Sequence, residues 1–96
     1  MNKHKGAFFV NTVQLECFLA VAQYLTFSKA AESVSITQPA VSHQKGSLED
    51  ELGVKLFVRT SKRVSLTREG ILFISEAEQL LKIEGSDKFR LSAKPE

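Results

Sequence analysis

A single cysteine, Cys17, stands in 96 residues, which excludes an internal disulfide framework and a cluster of cysteine metal ligands. It falls off the apolar stripe of the helix around it, so an inert thiol is expected. The two histidines, His4 and His43, are isolated, and no spacing in the chain suggests a metal site. There is no Ser/His/Asp constellation with a candidate base, no glycine-rich phosphate loop and no marked pair of carboxylates. No catalytic residue, metal or cofactor is therefore expected, and the enzyme class is set aside. Apolar runs are short. None approaches membrane-spanning length, and the basic start MNKHKGAFFV has too brief an apolar stretch for a signal-peptide core. Internal repeats and low-complexity segments are lacking too. A cytoplasmic protein that does not enter membranes is expected.

What is present fits one small domain with a single core. Hydrophobic residues make up 43% and charged residues 25%, ordinary for a globular chain, and the formal net charge is only +2. The distribution of charge says more. Between Lys55 and Arg68 lie Lys55, Arg59, Lys62, Arg63 and Arg68, with no acid among them. A basic patch of this kind matters when it stands beside a helix able to enter a groove of nucleic acid.

Ile36 to Gly53, ITQPAVSHQKGSLEDELG, supplies such a helix. Thr37 can cap it, Pro39 is tolerated in a first turn that has no use for its missing N–H, and Gly53 provides a left-handed stop. At about 100° per residue Val41, Leu48 and Leu52 share a narrow apolar stripe. Gln38, Pro39, Ser42, His43 and Gly46 share another face, short-chained, rich in hydrogen-bonding groups and free of acids. Amide and hydroxyl groups there could reach base edges while the positive end of the helix dipole meets phosphate. The acids Glu49, Asp50 and Glu51 sit at the far end and are expected to point away. Lys45 falls inside the apolar stripe, where burying part of an ammonium is costly unless a carboxylate, Glu49, answers it.

The remaining chain reads as support. Residues 1–11 carry no period and are expected to be a flexible leader. Asn11 or Thr12 can cap a helix over 13–24 whose Leu15, Phe18, Leu19 and Ala22 form a core stripe. Thr26 can cap a short second helix over 27–34, with Ala30, Ala31 and Val34 inward. Ser35 and Ile36 then turn into the helix capped by Thr37, which makes a helix-turn-helix. After Gly53 the period falls to two: Val54, Leu56 and Val58 alternate, a polar loop of Thr60 to Arg63 follows, and Val64 and Leu66 alternate again. That is a β-hairpin with a basic tip, a wing placed to touch phosphates. Thr67 caps a last helix running to about Glu84, with a stripe of Phe73, Ile74, Ala77, Leu80 and Leu81. Leu72 and Ile83 lie off that stripe, and a helix apolar on two sides asks for a partner helix. The fold class expected is mainly α: a winged helix-turn-helix over 12–66, a linker and dimerisation helix over 67–84, and a polar tail over 85–96.

The segments QLECFLAVAQYLTFSKAAESV, ITQPAVSHQ, LEDELGVKLFVRT and VSLTREG together resemble the DNA-binding domain of LysR-type transcriptional regulators, over about three quarters of the chain, from Asn11 to Lys82. The resemblance implies a regulator that binds a short, roughly palindromic promoter site in double-stranded DNA as a homodimer or higher oligomer. Carried over by motif position, Gln38 and Pro39 meet base edges, and Ser42 and His43 meet phosphate or base. Ser28, Lys29 and Thr37 anchor phosphates, and Arg59, Lys62 and Arg63 of the wing contact the backbone. Leu72, Phe73, Ala77, Leu80 and Ile83 are the implied dimerisation residues. Family members usually continue into an effector-binding domain. Without it, no small-molecule inducer is expected, and the chain is an excised domain, a truncated product or a standalone binder. A truncated regulator could instead act mainly by heterodimerising with a full-length relative. Lys45-Gly46 departs from the family pattern, which usually has an aliphatic residue followed by a polar or basic one.

Overall fold

The computed structural model describes residues 10–61 and 63–83. The expected tail from 85 onward, and all of the expected leader except Val10 and Asn11, lie outside the described residues. Val10 itself is half-buried and packs against the core.

Helix α1, Thr12–Tyr24, starts in a reciprocal cap. The Asn11 side chain accepts from the Gln14 N–H at 2.8 Å, and Gln14 Oε1 accepts from the Asn11 N–H at 2.9 Å. The helix ends at Leu25, a left-handed residue with φ 57° whose N–H reaches the Val21 carbonyl. Thr26 then caps α2, Phe27–Val34, by accepting from the Lys29 N–H. Ser35, also left-handed at φ 61°, turns the chain, and Thr37 caps α3, Gln38–Leu52, by accepting from the Ala40 N–H. Gly53, at φ 76°, closes α3. Three helices with local stops at both ends, each cap contributing about 1 kcal/mol, thus account for the helix-turn-helix.

The wing is a two-stranded antiparallel hairpin, β1 Phe57–Arg59 and β2 Val64–Leu66, with Phe57 opposite Leu66 and Arg59 opposite Val64. Its turn is closed by Thr60, whose N–H and hydroxyl both donate to the Arg63 carbonyl. Helix α4, Arg68–Ile83, begins at Thr67. The Thr67 hydroxyl accepts from the Gly70 N–H and donates to the Lys55 carbonyl at 2.7 Å, while its own N–H donates to Leu56. One residue thus caps α4 and ties it to the root of the wing. Gly70 is required at this join, because a Cβ there would run into the Leu56 carbonyl.

The core lies between α1 and the elements around it. Phe18 is fully buried, with ring centroids 5.5 Å from Phe57 of the wing and 5.2 Å from Phe73 of α4. Leu15, Val21, Val41, Leu48, Leu56, Ala77 and Leu81 complete it. Two corrections follow from this packing. Cys17 is not off the core face but 1% exposed, since α1 is covered by α2, α3 and α4 and buries more than one stripe. The alternation of Val54, Leu56 and Val58 is not the pleat of the wing either. Val54 and Val58 are exposed, while Leu56 and Phe57 are buried in succession. The strand begins only at Phe57, and Leu56 lies in the link before it, so a period of two does not run through both.

Candidate nucleic-acid interface

The first turn of α3 projects Gln38 and Pro39 outward, both exposed, with His43 exposed one turn on and Ser42 half-buried between them. No acid lies in this turn. Thr37 is exposed, but its hydroxyl oxygen is engaged as the cap. Helix α2 begins alongside, with Ser28 and Lys29 exposed.

From the other side comes β1. The guanidinium carbon of Arg59 sits 4.8 Å from the centroid of the Phe27 ring, a cation–π contact that holds the side chain over the start of α2. Phe27, Gln38, Pro39, Ser42 and Arg59 line one shallow cleft. A second depression continues it through Thr26, Ser28, Thr60 and Arg63. Ser28, Gln38, Pro39, Ser42, Arg59 and Arg63 are therefore brought into one continuous surface. Lys29, Thr37 and His43 are exposed beside it but do not line it, and Lys62 lies outside the described residues. The cleft is open, lined by the Phe27 ring and Pro39 together with amide, hydroxyl and guanidinium groups, and among the described residues no carboxylate lines it. It can hydrogen-bond and attract an anionic polymer.

Sequence reasoning missed Phe27 as the support of Arg59; its only signal was a large aromatic directly after the cap Thr26. It also missed Gln14. This residue is 4% exposed, and its Nε2 donates to Ser47 Oγ at 2.9 Å, tying α1 to the middle of α3. Glu49 answers Lys45 as the sequence suggests, but sequence reasoning missed how deeply it is buried: it is 2% exposed, and its second oxygen accepts from the Leu56 and Phe57 N–H groups. Lys45, expected in the apolar stripe, keeps 22% of its side chain exposed and pairs with Glu49 at 3.3 Å. Gly46 has open space where a Cβ would stand.

A different surface, on α4, carries the two most exposed large apolar side chains among the described residues. Leu72 is 67% exposed and Ile71 59%. Leu72 lines a groove with Val10, Leu15, Leu52, Phe73 and Leu80, flanked by Glu69 and Glu76. Of the implied dimerisation residues, Phe73 and Leu80 are partly covered and Ala77 is fully buried, so Ala77 has no surface left to offer a second chain. The side chain of Ile83 lies outside the described residues. Among the described residues no group of three or more His, Cys, Asp or Glu could hold a metal, and no helix is long and apolar enough to cross a membrane.

Residues 12–71 match the family described as bacterial regulatory helix-turn-helix protein, lysR family. An uncharacterized HTH-type transcriptional regulator YxjO of Bacillus subtilis is 41% identical over 78 residues, covering 81% of this chain and 27% of that protein. The DNA-binding transcriptional dual regulator OxyR of Escherichia coli is 41% identical over 73 residues, covering 76% of this chain and 24% of that protein. Among solved structures, the DNA complex of the CbnR DNA-binding domain superposes with a TM-score of 0.75 at 32% identity, covering 88% of this chain and all of that one. The chain thus spans about a quarter of the length of these curated relatives. Helix-turn-helix, wing, family match and likeness to a DNA-bound domain agree: the chain belongs to the LysR family of transcriptional regulators and carries its winged helix-turn-helix DNA-binding domain.

Proposed function

We propose that the chain binds a roughly palindromic promoter site in double-stranded DNA, with α3 in the major groove and the wing on the backbone. In this reading Gln38 and Pro39 meet base edges, and Ser42 and His43 meet base or phosphate. Ser28, Lys29 and Thr37 anchor phosphates at the starts of two helices, and Arg59, Lys62 and Arg63 hold the backbone from the wing. The observation that carries the reading is the continuous acid-free surface joining the first turn of α3 to Arg59 and Arg63. A recognition helix alone would contact one stretch of groove. A helix with a cation held beside it can span groove and phosphate together.

Two-fold symmetry in the site requires two copies of the domain. The exposed Leu72 and Ile71 and the adjoining apolar groove favour pairing through α4. The same face favours a second reading, in which the chain pairs with a full-length relative and removes it from DNA. Selection of bound duplexes from a random pool separates the two. Enrichment of a two-fold symmetric sequence by the purified chain supports the first, and failure to enrich any sequence leaves the second. A domain of this kind working on chromosomal promoters acts in the cytoplasm.

A further inference from the structure

Glu49 lies near the C-terminal end of α3, remote from the first turn that faces DNA in the reading above. Its side chain is 2% exposed, whereas the neighbouring Asp50 is exposed. Oε2 accepts from two consecutive backbone N–H groups at the root of the wing, Leu56 at 2.8 Å and Phe57 at 3.2 Å. Oε1 faces Lys45 Nζ at 3.3 Å and Lys55 Nζ at 4.0 Å. Leu56 and Phe57 are themselves buried, so neither N–H could turn to water if the acceptor withdrew.

The consequence reaches the interface. From Phe57 the strand runs two residues to Arg59, whose guanidinium rests on Phe27 beside Gln38. The wing is thus fixed to the recognition element at two points, by Glu49 at its root and by Phe27 at Arg59. A duplex touched by both helix and wing then meets groups held at one spacing, which saves the ordering cost of bringing a loose hairpin into place.

We propose that Glu49 is a positioning residue for DNA binding: its carboxylate sets the height of the wing on the recognition helix, so that Arg59 and Arg63 reach the duplex that α3 reads. This rests on the DNA-binding reading above. What matters is reach rather than charge. A carboxamide at this position can still accept both N–H groups, whereas an aspartate keeps the charge but falls one methylene short.

The test uses the whole chain and a duplex carrying the sequence selected from the random pool. Dissociation constants are measured over a series of KCl concentrations, with amide exchange at Leu56 and Phe57 followed in parallel. Glu49→Gln should stay within about threefold of wild type, with an unchanged salt slope and protected amides. Glu49→Asp should bind at least about tenfold more weakly, with the slope reduced by about one to two phosphate contacts and faster exchange at both amides. Adding Arg59→Ala to Glu49→Asp should cost little more, because the contact is already lost. Equal damage from Gln and Asp would overturn the proposal. So would full additivity of Glu49→Asp with Arg59→Ala. Should Glu49→Asp not fold, Glu49→Gln decides: exposed Leu56 and Phe57 amides with wild-type binding would overturn the proposal, and protected amides with wild-type binding would support it. If Arg59→Ala in the wild-type background leaves binding unchanged, the wing reading itself fails and the proposal falls with it; additivity beside an effective Arg59→Ala condemns Glu49 alone.

Discussion

Cys17 shows how burial, not only residue type, decides chemistry. Burial pushes its thiol from 9.0 up to about 11, and the neighbouring Glu16 adds to the rise. The thiolate is the reactive form, so the folded chain should react very slowly with a disulfide reagent at pH 8 and rapidly once unfolded in urea. Fast labelling of the folded chain would contradict the packing of α1. The same shift has a stability consequence. A thiol whose folded pKa lies above its unfolded value contributes fully below about pH 9, and the contribution is lost as pH rises towards 11. The stability difference between wild type and Cys17→Ala should therefore shrink across that window in chemical denaturation.

Gly46 is the second informative residue. A helix-interior glycine costs about 0.5–1 kcal/mol against alanine, and nothing stands within 4 Å of where its Cβ would be. Gly46→Ala should raise the melting temperature by a few degrees. A fall would mean that the backbone here is not an ordinary helix interior. The neighbouring Lys45 breaks the aliphatic pattern at little cost, because it is partly exposed and paired with Glu49. Replacing it with isoleucine removes that pairing, so no gain in stability is expected from Lys45→Ile alone.

Among the elements, those with local signals were legible and those set by distant contacts were not. Asn11, Thr26, Thr37, Gly53 and Thr67 act as caps or stops within a few residues of themselves, and the sequence names each, Asn11 as one of two candidates with Thr12. Leu25 and Ser35 also take left-handed conformations, but neither residue type advertises one. The inward face of the wing was misread because Phe57 is turned inward against Phe18, from a helix far away in the chain. The pairing of Glu49 with Lys45 was legible one helical turn away, but its acceptor role towards Leu56 and Phe57 was not, because it depends on the fold of residues after Gly53. Gly70 tests the join between wing and α4. Gly70→Ala must displace the Leu56 carbonyl or the helix, and should destabilise the domain by about 1–3 kcal/mol in urea titration. An unchanged midpoint would show that the approach is looser than described.

At the scale of the molecule, two surfaces of different character stand apart. One joins α2, α3 and the wing and is polar to basic; the other centres on α4 and is apolar. The candidate contacts Gln38, Pro39 and Ser42 were visible in sequence because they lie on one helical face. The spacing between them and Arg59 was not, since it is fixed by Phe27 and Glu49 across the fold. Of the implied pairing residues, Leu72 has the surface to pair, and Ala77 is used up within the domain. Leu72→Glu should shift sedimentation towards monomer and weaken binding to a two-fold site while leaving the fold intact. A wild-type chain that stays monomeric at high concentration, with Leu72→Glu identical to it, would remove α4 as the pairing element.

The central claim, that α3 reads sequence while the wing holds phosphate, is tested most directly by comparing Gln38→Ala with Arg63→Ala on selected and random duplexes over a range of salt. The account predicts that Gln38→Ala loses about 1–3 kcal/mol on the selected sequence and almost nothing on random DNA. Arg63→Ala should weaken both alike and lower the salt slope by about one unit. If both substitutions change selected and random binding in the same proportion, the division between reading helix and anchoring wing is contradicted.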